Sequence, residues 1–302
     1  MRDLANWHRR RRFFVALGVL AFGGAGSAGS QAAPATDIFL APLSVKNGVP
    51  VVGKPVNVTA RPGYDNQPSF TPDSRTMLFT ATHDDGQSDI YRLDVSSRAV
   101  TRVTSTPESE YSATVMPGGK RFTVIRVEKD STQRLWSFAM DGSDPKIVIE
   151  SLKPVGYHAW IDENNLALFV LGNPNALVHY DTRTAKSDTL VRNIGRSLLP
   201  LPNGGGFSFV QRVDSSFVVK TMAWPSRTTR DLIQLLRGAQ DLVWLGPDLM
   251  MTSSGSRLLY WKPGATTWLD AGDYSDAGLT SASRLAVSPD GKWLAIVAMS
   301  KP

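Results

Sequence analysis

The sequence predicts an all-β fold, a six-bladed β-propeller built from four-stranded antiparallel blades. Two observations predict it: a strand–turn–strand unit recurs six times, and the two chain ends carry complementary parts of one blade. Repeats of about 40–45 residues with four strands each are typical of propellers. A two-sheet sandwich is the alternative, which six regular repeats and complementary ends disfavour.

Each repeat begins with a short apolar strand, a tight turn and a second apolar strand. Successive turns lie 45, 45, 40, 45 and 42 residues apart. A third apolar strand follows, as at Asp89–Leu93, and a more polar fourth strand, as at Ala99–Val103, completes the blade. A short polar outer strand prevents the blade edge from pairing with other chains. The turns are marked by Pro72, Pro117, Asp162, Pro202, Pro247 and Pro289.

The sixth repeat has only two strands before the C-terminus, so its blade needs strands from elsewhere. Asp37–Leu43 and Lys54–Thr59 flank an Asn47-Gly48 turn, which is a strong hairpin signal. We expect this hairpin to join the C-terminal strands, so that residues 37–60 and 285–302 share blade 6. The ring would then have no open edge, and one propeller domain would span residues 33–302.

Residues 1–32 are typical of an export signal peptide. The basic run Arg9–Arg12 precedes the apolar run Phe13–Phe22, and Ser30-Gln31-Ala32 offers a signal peptidase small residues at its cleavage site. Ten apolar residues are too few to cross a bilayer, which takes about 20, so we expect no stable membrane span after cleavage. An uncleaved amphipathic anchor is the alternative. Export by the Sec or the twin-arginine route would place the protein in the periplasm or outside the cell.

The charge of the chain and its lack of cysteine exclude several classes of function. The formal charge is +6, but the first 32 residues hold five arginines and one aspartate, and the remainder has 28 basic and 26 acidic residues. The mature chain therefore does not have the charge of a nucleic-acid binder. It contains no cysteine, which excludes disulfides, thiolate metal ligands and cysteine catalysis.

Short motifs in the turns resemble a known family. Ser288–Lys292 reads Ser-Pro-Asp-Gly-Lys, and Thr71–Asp73 and Met116–Gly119 are degenerate forms of it. This pattern, with Asp89-Ile90-Tyr91 in the third strand, resembles the WD40-like repeat of TolB-like periplasmic β-propellers. The resemblance runs from about Asn66 to Pro302 and implies the fold, but this repeat serves many functions. TolB itself has an α/β domain before its propeller, and here about two dozen residues separate the signal from the first repeat. Its docking role therefore does not transfer.

The residues just before each first strand should surround the mouth of the central channel. They are largely polar, and arginines there would pair with a carboxylate while acids would meet an amine. We therefore expect a zwitterionic or peptide-like ligand, with flat contacts from the tyrosines and the histidine. The alternative is that these loops are polar only to satisfy backbone groups around a wet channel. The expected ligand-binding residues are Asp65, Asn66, Gln67, Glu110, Tyr111, Tyr157, His158, Arg196, Ser197, Gln240, Asp241 and Arg284.

The sequence contains no Gly-x-Ser-x-Gly elbow and no His-Glu-x-x-His motif. We therefore expect an exported, non-catalytic module that binds a cell-envelope protein or a small ligand at the channel mouth, without cofactor, metal or catalytic residue. The alternative is a metal-dependent hydrolase or lyase with its site at the same mouth. Its candidate ligands are His158, Asp65, Glu110 and Asp241.

Overall fold

A computed structural model of the protein describes residues 34–299, which form six antiparallel sheets. The sheets are the blades of a six-bladed β-propeller, and the predicted fold class is confirmed. The predicted signal peptide lies outside the described residues. Within residues 34–299 no helix is long and apolar enough to cross a membrane.

The first three strands belong to blade 6. They are β1 (Thr36–Lys46), β2 (Val49–Val52) and β3 (Val56–Asn57).

Blades 1 to 3 follow, each with four consecutive strands from the channel outward. Blade 1 has β4 (Asp65–Phe70), β5 (Thr76–Thr82), β6 (Ser88–Asp94) and β7 (Val100–Arg102). Blade 2 has β8 (Ser109–Val115), β9 (Arg121–Val127), β10 (Gln133–Ala139) and β11 (Lys146–Ile147). Blade 3 has β12 (Val155–Trp160), β13 (Asn165–Val170), β14 (Ala176–Asp181) and β15 (Lys186–Arg192).

The remaining strands complete the ring. Blade 4 has β16 (Ile194–Pro200), β17 (Gly206–Val213), β18 (Ser216–Ala223) and β19 (Thr229–Gln234). Blade 5 has β20 (Val243–Gly246), β21 (Leu249–Ser254), β22 (Arg257–Trp261) and β23 (Leu269–Asp273), followed by a 3₁₀ helix at Ser275–Ala277. Blade 6 ends with β24 (Arg284–Val287) and β25 (Trp293–Met299).

Blade 6 joins the two ends of the chain, as the sequence predicted. β1 pairs with β25 from Thr36 opposite Met299 to Pro42 opposite Trp293. The hairpin differs in detail, because the strand after the turn is β2 and not Lys54–Thr59, of which only Val56–Asn57 pairs with β1. β1 runs directly into the Asn47-Gly48 turn, where both residues have positive φ, so the return strand must begin to pair at once.

The apolar core consists of six clusters, one at each interface between neighbouring blades. Strand β1 shows why: Ile38 and Leu40 pack toward blade 1, whereas Phe39, Ala41 and Leu43 pack toward blade 5. Successive side chains of a strand point to opposite faces, so an apolar middle strand holds both of its neighbours.

The turn motif is built from side-chain hydrogen bonds. Ser288 Oγ donates to Asp290 Oδ1 at 2.6 Å and accepts from the Trp293 backbone N–H at 2.9 Å. The same bonds recur in blade 1, where Thr71 Oγ1 donates to Asp73 Oδ1 at 2.6 Å. These bonds hold the pKa of each aspartate below its usual value. The hydrogen bonds of the repeat motif therefore stabilise the turn, which explains the motif without a catalytic role.

The innermost strands of blades 1 to 4 begin earlier than the sequence predicted. The residues expected in loops lie in the strands themselves, before or beside an irregularity in register. In β4 and β8 this irregularity contains Gln67 and Ser112, non-glycine residues with φ of 58° and 56°. A β-bulge re-aims the side chains beside it, so side chains near the start of these strands point in different directions.

Candidate functional site

At one end of the channel each blade contributes one side chain to a cluster that we call the channel ring. Five members interact electrostatically, because the partly buried Tyr64 lies in the field of Arg284, Tyr157, Arg196 and Tyr111. Burial raises the pKa of Tyr64 well above its ordinary value, even though the arginines oppose it, so its hydroxyl stays protonated. From blade 1 to blade 6 the channel ring is Tyr64, Tyr111, Tyr157, Arg196, Asp241 and Arg284.

Arg284 reaches across the channel to the opposite blade. Its Nη2 donates to Tyr157 Oη at 3.3 Å, and its guanidinium carbon lies 5.2 Å from the centre of the Tyr157 ring. Its Nε lies 3.9 Å from Asp241 Oδ1. Burial disfavours the charge, but Asp241 and Tyr157 favour it more, and the pKa of Arg284 is raised above its ordinary value. A permanent cation therefore stands in the middle of the channel.

Arg196 and Asp241 form the second contact of the ring. Arg196 Nε donates to Asp241 Oδ2 at 2.9 Å, and its Nη2 donates to the same oxygen. Both residues line the central cavity and also a smaller cavity of about 310 Å³ between blades 4 to 6, which Gln240 lines. Because one carboxylate serves two arginines, the channel ring keeps an excess of positive charge.

The central cavity has a volume of about 800 Å³. Pockets for small ligands usually measure roughly 300–1,000 Å³. Seven of the twelve residues expected at the site line it: Gln67, Tyr157, His158, Arg196, Ser197, Asp241 and Arg284.

Four buried polar atoms of cavity-lining residues have no hydrogen-bond partner in the protein. They are Gln67 Nε2, Ser112 Oγ, His158 Nδ1 and Arg284 Nε. The amide orientation of Gln67 is determined by its neighbours, since Thr80 Oγ1 and the Ser112 N–H both donate to its Oε1, at 2.7 and 2.8 Å. Its Nε2 is therefore a buried donor without a partner among the described residues. Buried polar groups are nearly always paired with protein, water or ligand.

The imidazole ring of His158 is uncharged, with its proton on Nε2 and a lone pair on Nδ1. Its Nε2 lies 2.7 Å from Thr123 Oγ1, which also accepts from Trp160 Nε1 at 3.1 Å and donates to the Thr114 carbonyl at 3.2 Å. All three bonds form together only if Nε2 carries the proton, which leaves Nδ1 with a free lone pair. Burial lowers the pKa of His158 to about 3, so the ring is uncharged at neutral pH.

Three of the expected site residues point into the blades and away from the channel. Asp65 is fully buried against Arg61, and Glu110 is fully buried against Arg126 and Thr106. Asn66 contacts Thr36 and caps the Gln67 N–H.

Burial raises the pKa of both buried acids: Asp65 to about 6, where Arg61 opposes the shift, and Glu110 to about 7, where Thr106 opposes it and the nearby Asp89 adds to it. Neither acid is free to meet a ligand's amine.

The proposed metal ligands are not brought together. His158 bonds to Thr123, Asp65 to Arg61, and Asp241 to Arg196. Among residues 34–299 no group of three histidine, aspartate or glutamate side chains could hold a metal ion.

Sequence reasoning did not single out Tyr64, Ser112 or Thr123 as site residues. Ser112 lies 45 residues after Gln67, which equals the repeat length, so alignment of the repeats could have found it. Thr123 is on a middle strand and reaches the site only through His158, a contact for which the sequence carries no signal.

The fold and site can be compared with known proteins. No protein-family model matches the chain. The structure of a putative TolB from Agrobacterium tumefaciens is similar over 89% of this chain and 100% of that one, with TM-score 0.68 and 13% identity. This chain therefore shares the six-bladed β-propeller fold of that structure.

Two further structures are similar. TolB from Acinetobacter baumannii is 22% identical with TM-score 0.51, over 64% of this chain and 51% of that one, so the chain spans about half of that TolB. A gluconolactonase from Xanthomonas campestris has TM-score 0.61 and 8% identity, over 89% of this chain and 99% of that one. At these identities the likeness concerns the fold, and function has to be argued from the site.

Proposed function

We propose that the protein is an exported, non-catalytic recognition module that binds a small ligand or a segment of a cell-envelope protein in its central channel. The observation that carries the proposal is the central cavity of about 800 Å³, which Arg196, Asp241 and Arg284 line with an excess of positive charge. A volume of this size lined by a few charged groups is typical of a ligand pocket.

The site residues of this proposal are the seven predicted residues that line the cavity. Tyr111 belongs to the channel ring, and Gln240 lines the smaller cavity beside it. Asp65 and Glu110 are ion-paired inside blades 1 and 2, and Asn66 is hydrogen-bonded to Thr36 and to the Gln67 N–H.

A capture experiment tests binding. The mature protein, immobilised, should retain a partner or ligand from envelope extract, and Arg196→Gln should lose it. Arg257→Gln is the matched control, because Arg257 is also ion-paired, to Asp270 at 2.8 Å, but its side chain is exposed at the outer part of blade 5. If Arg196→Gln folds and captures the same molecule as the wild type, the channel is not the binding site.

Elemental analysis tests the rival function. The protein purified without chelator should hold no stoichiometric divalent metal. A tightly bound metal at one per chain would overturn the non-catalytic assignment in favour of a metal-dependent hydrolase or lyase.

Export is part of the same proposal. The support is the predicted signal sequence together with the TolB-like fold of the described residues. The mature chain isolated from the envelope fraction should begin near Ala33 by N-terminal sequencing. An intact Met1 there would indicate an anchor instead.

A further inference from the structure

The smaller cavity beside the channel, which we call the side cavity, is separate from the central cavity. It measures about 310 Å³, and its wall combines Arg196 of blade 4, the loop between β19 and β20, the end of β21 with its turn, and the loop before β24. The Arg196–Asp241 ion pair lines both cavities, whereas Arg237 lines the side cavity and not the central one. A ligand of the side cavity therefore has contacts that a channel ligand lacks.

The wall of the side cavity is rich in accessible hydrogen-bond donors. Arg237 is exposed and forms no ion pair or hydrogen bond with any residue between 34 and 299. A guanidinium has five N–H donors and no acceptor. Other lining side chains that are at least partly exposed and have no hydrogen-bond partner in the same range are Gln240, Ser254, Ser281 and Ser283.

The charge of the side cavity favours an anion. The acid that lines it is Asp241, and both carboxylate oxygens of Asp241 already face arginines. Arg196 Nε donates to Oδ2 at 2.9 Å, and Arg284 Nε lies 3.9 Å from Oδ1. The negative charge of Asp241 is therefore compensated, and the charge of Arg237 is left for a ligand.

Hydrogen bonds hold two walls of the side cavity together. The Ala282 N–H donates to the Gly255 carbonyl at 2.7 Å, and Ser253 Oγ donates to the Ala282 carbonyl at 2.9 Å. These bonds join the β21–β22 turn of blade 5 to the loop before β24. A wall that is already ordered lowers the entropy that binding has to lose.

The size and lining of the side cavity indicate a small ligand without an apolar body. Its volume is at the lower end of the roughly 300–1,000 Å³ of small-ligand pockets, and the apolar side chains described there are two alanines, Ala239 and Ala282. A carboxylate offers two oxygens, whereas a phosphate or sulfate group offers three or four around one centre. Such a group can accept from an arginine fork and from hydroxyls on several sides at once.

We propose that the side cavity binds a tetrahedral oxyanion, a phosphate or sulfate group, with Arg237 as the charged contact. Gln240 and the hydroxyls of Ser254, Ser281 and Ser283 supply the further donors. This site is additional to the channel site of the proposed function and does not depend on it.

Isothermal titration calorimetry of the whole mature protein with inorganic phosphate and with sulfate tests the proposal. Ionic strength is held constant with chloride, and titrations extend to about 10 mM, since so few ligand atoms limit the affinity. Arg237→Gln should weaken binding about tenfold or more, because it removes a charge-assisted contact. Arg230→Gln is the matched control: Arg230 is also an exposed arginine of blade 4 without an ion pair in the described part of the chain, and it lines neither cavity.

A second variant changes the charge of the cavity and keeps the shape of the side chain. Gln240→Glu replaces an amide donor with a carboxylate, which repels an anion, and should also weaken phosphate binding about tenfold or more. Glycerol 3-phosphate distinguishes the sources of the group. If it binds as tightly as inorganic phosphate, the cavity accepts an esterified group; if inorganic phosphate alone binds, the ligand is the free ion.

Three results would overturn the proposal: acetate binding as tightly as phosphate, equal weakening by Arg237→Gln and Arg230→Gln, or no binding of either oxyanion at about 10 mM. Arg237→Gln should capture the channel ligand from envelope extract as the wild type does, because Arg237 does not line the central cavity. Loss of oxyanion binding with capture retained would therefore refute the side-cavity site alone, and the proposed function would stand.

Discussion

The channel ring and the buried carboxylates of blades 1 and 2 occupy similar positions in the sequence repeats. In the structure, however, the first faces the channel and the second are enclosed within blades. Asp241 precedes an inner strand and faces the channel, where it is shared by Arg196 and Arg284. Asp65 and Glu110 also lie at strand starts, but each is enclosed in its own blade with a single arginine. A charged residue at the start of an inner strand can therefore serve binding or blade structure, and its ion-pair partner decides which.

The blade charges and the channel charges differ in whether the partner of a removed charge keeps another ion pair. Arg126 is almost fully buried, contacts Glu108 and Glu110 and lies over the Trp136 ring. Arg196 is a quarter exposed, and its partner Asp241 has a second arginine. We expect the blade charges to matter most for stability and the channel charges most for ligand binding.

The largest effect should come from removing Arg126. At pH 8, Arg126→Leu leaves the buried Glu110 and the partly exposed Glu108 without their cation and should cost about 3–5 kcal/mol. Arg196→Leu should cost only about 1 kcal/mol, because Asp241 keeps Arg284. Urea denaturation of both variants measures the two losses. Equal losses would show that channel and blade charges do not differ in this way.

The second effect is a pH dependence confined to the blades. Burial raises the pKa of Glu110 to about 7 and that of Asp65 to about 6, so the folded protein keeps protons that the unfolded chain has already lost. Each of these two acids therefore contributes stability at low pH that is lost as pH rises through its folded pKa, by roughly 1–3 kcal/mol for Glu110. The low pKa of His158 acts in the opposite direction below about pH 6.5, so the effect of Glu110 is measured as the difference between the wild type and Glu110→Gln.

Glu110→Gln should flatten this part of the pH profile, whereas Arg196→Gln should leave its slope intact. Ligand affinity should stay constant from pH 5 to 8, because the arginines keep their charge and the low pKa of His158 keeps that ring neutral. If the difference in unfolding free energy between the wild type and Glu110→Gln does not change between pH 5 and 8, the burial of Glu110 does not raise its pKa.

A smaller loss should follow from Thr123→Val. The variant removes the hydroxyl that accepts from Trp160 and from His158, and leaving such buried donors unpaired costs about 1–3 kcal/mol. Thr123→Ser is the control, because it keeps the hydroxyl and should lose less. The measurement is thermal or urea denaturation, and equal losses in both variants would contradict the proposed hydrogen-bond arrangement.

The smallest effect should come from Ser197→Ala. Ser197 lines the cavity, and removing its hydroxyl should change stability by less than about 0.5 kcal/mol. Ser253→Ala should cost about 1 kcal/mol, because Ser253 Oγ donates to the Ala282 carbonyl at 2.9 Å in a buried setting. If Ser197→Ala is the more destabilising of the two, Ser197 has a structural role.

Much of the fold could be predicted because its signals are local. Strand β1 alternates residues that pack on blade 1 with residues that pack on blade 5, and this alternation is visible in sequence. The hairpin was predicted with the right turn but the wrong return strand, because Gly53 and Pro55 did not reveal that pairing breaks between β2 and β3.

The positions of the candidate site residues could be predicted from the sequence, but their ion-pair and hydrogen-bond partners could not. Placing Arg196, Asp241 and Arg284 near the channel followed from the repeat. The enclosure of Glu110 did not, because it depends on Arg126 of the neighbouring strand being turned toward it. Bulges at the strand starts decide such orientations. The bulge in β8 contains Ser112, a non-glycine residue with positive φ, so no glycine in the sequence indicates where the bulge lies.

By itself the sequence determined the propeller, its six blades and their closure by the two chain ends. Apolar alternation and turn residues are signals that extend over a few neighbouring residues, and they recur at the repeat length in all six blades. Only the tertiary structure decided which polar side chains meet. Arg196 and Asp241 are 45 residues apart, and Arg284 and Tyr157 are 127 apart. The first pair joins neighbouring blades and the second joins opposite blades across the channel. Both form only when the closed ring aims the side chains at each other, and no local pattern encodes that orientation.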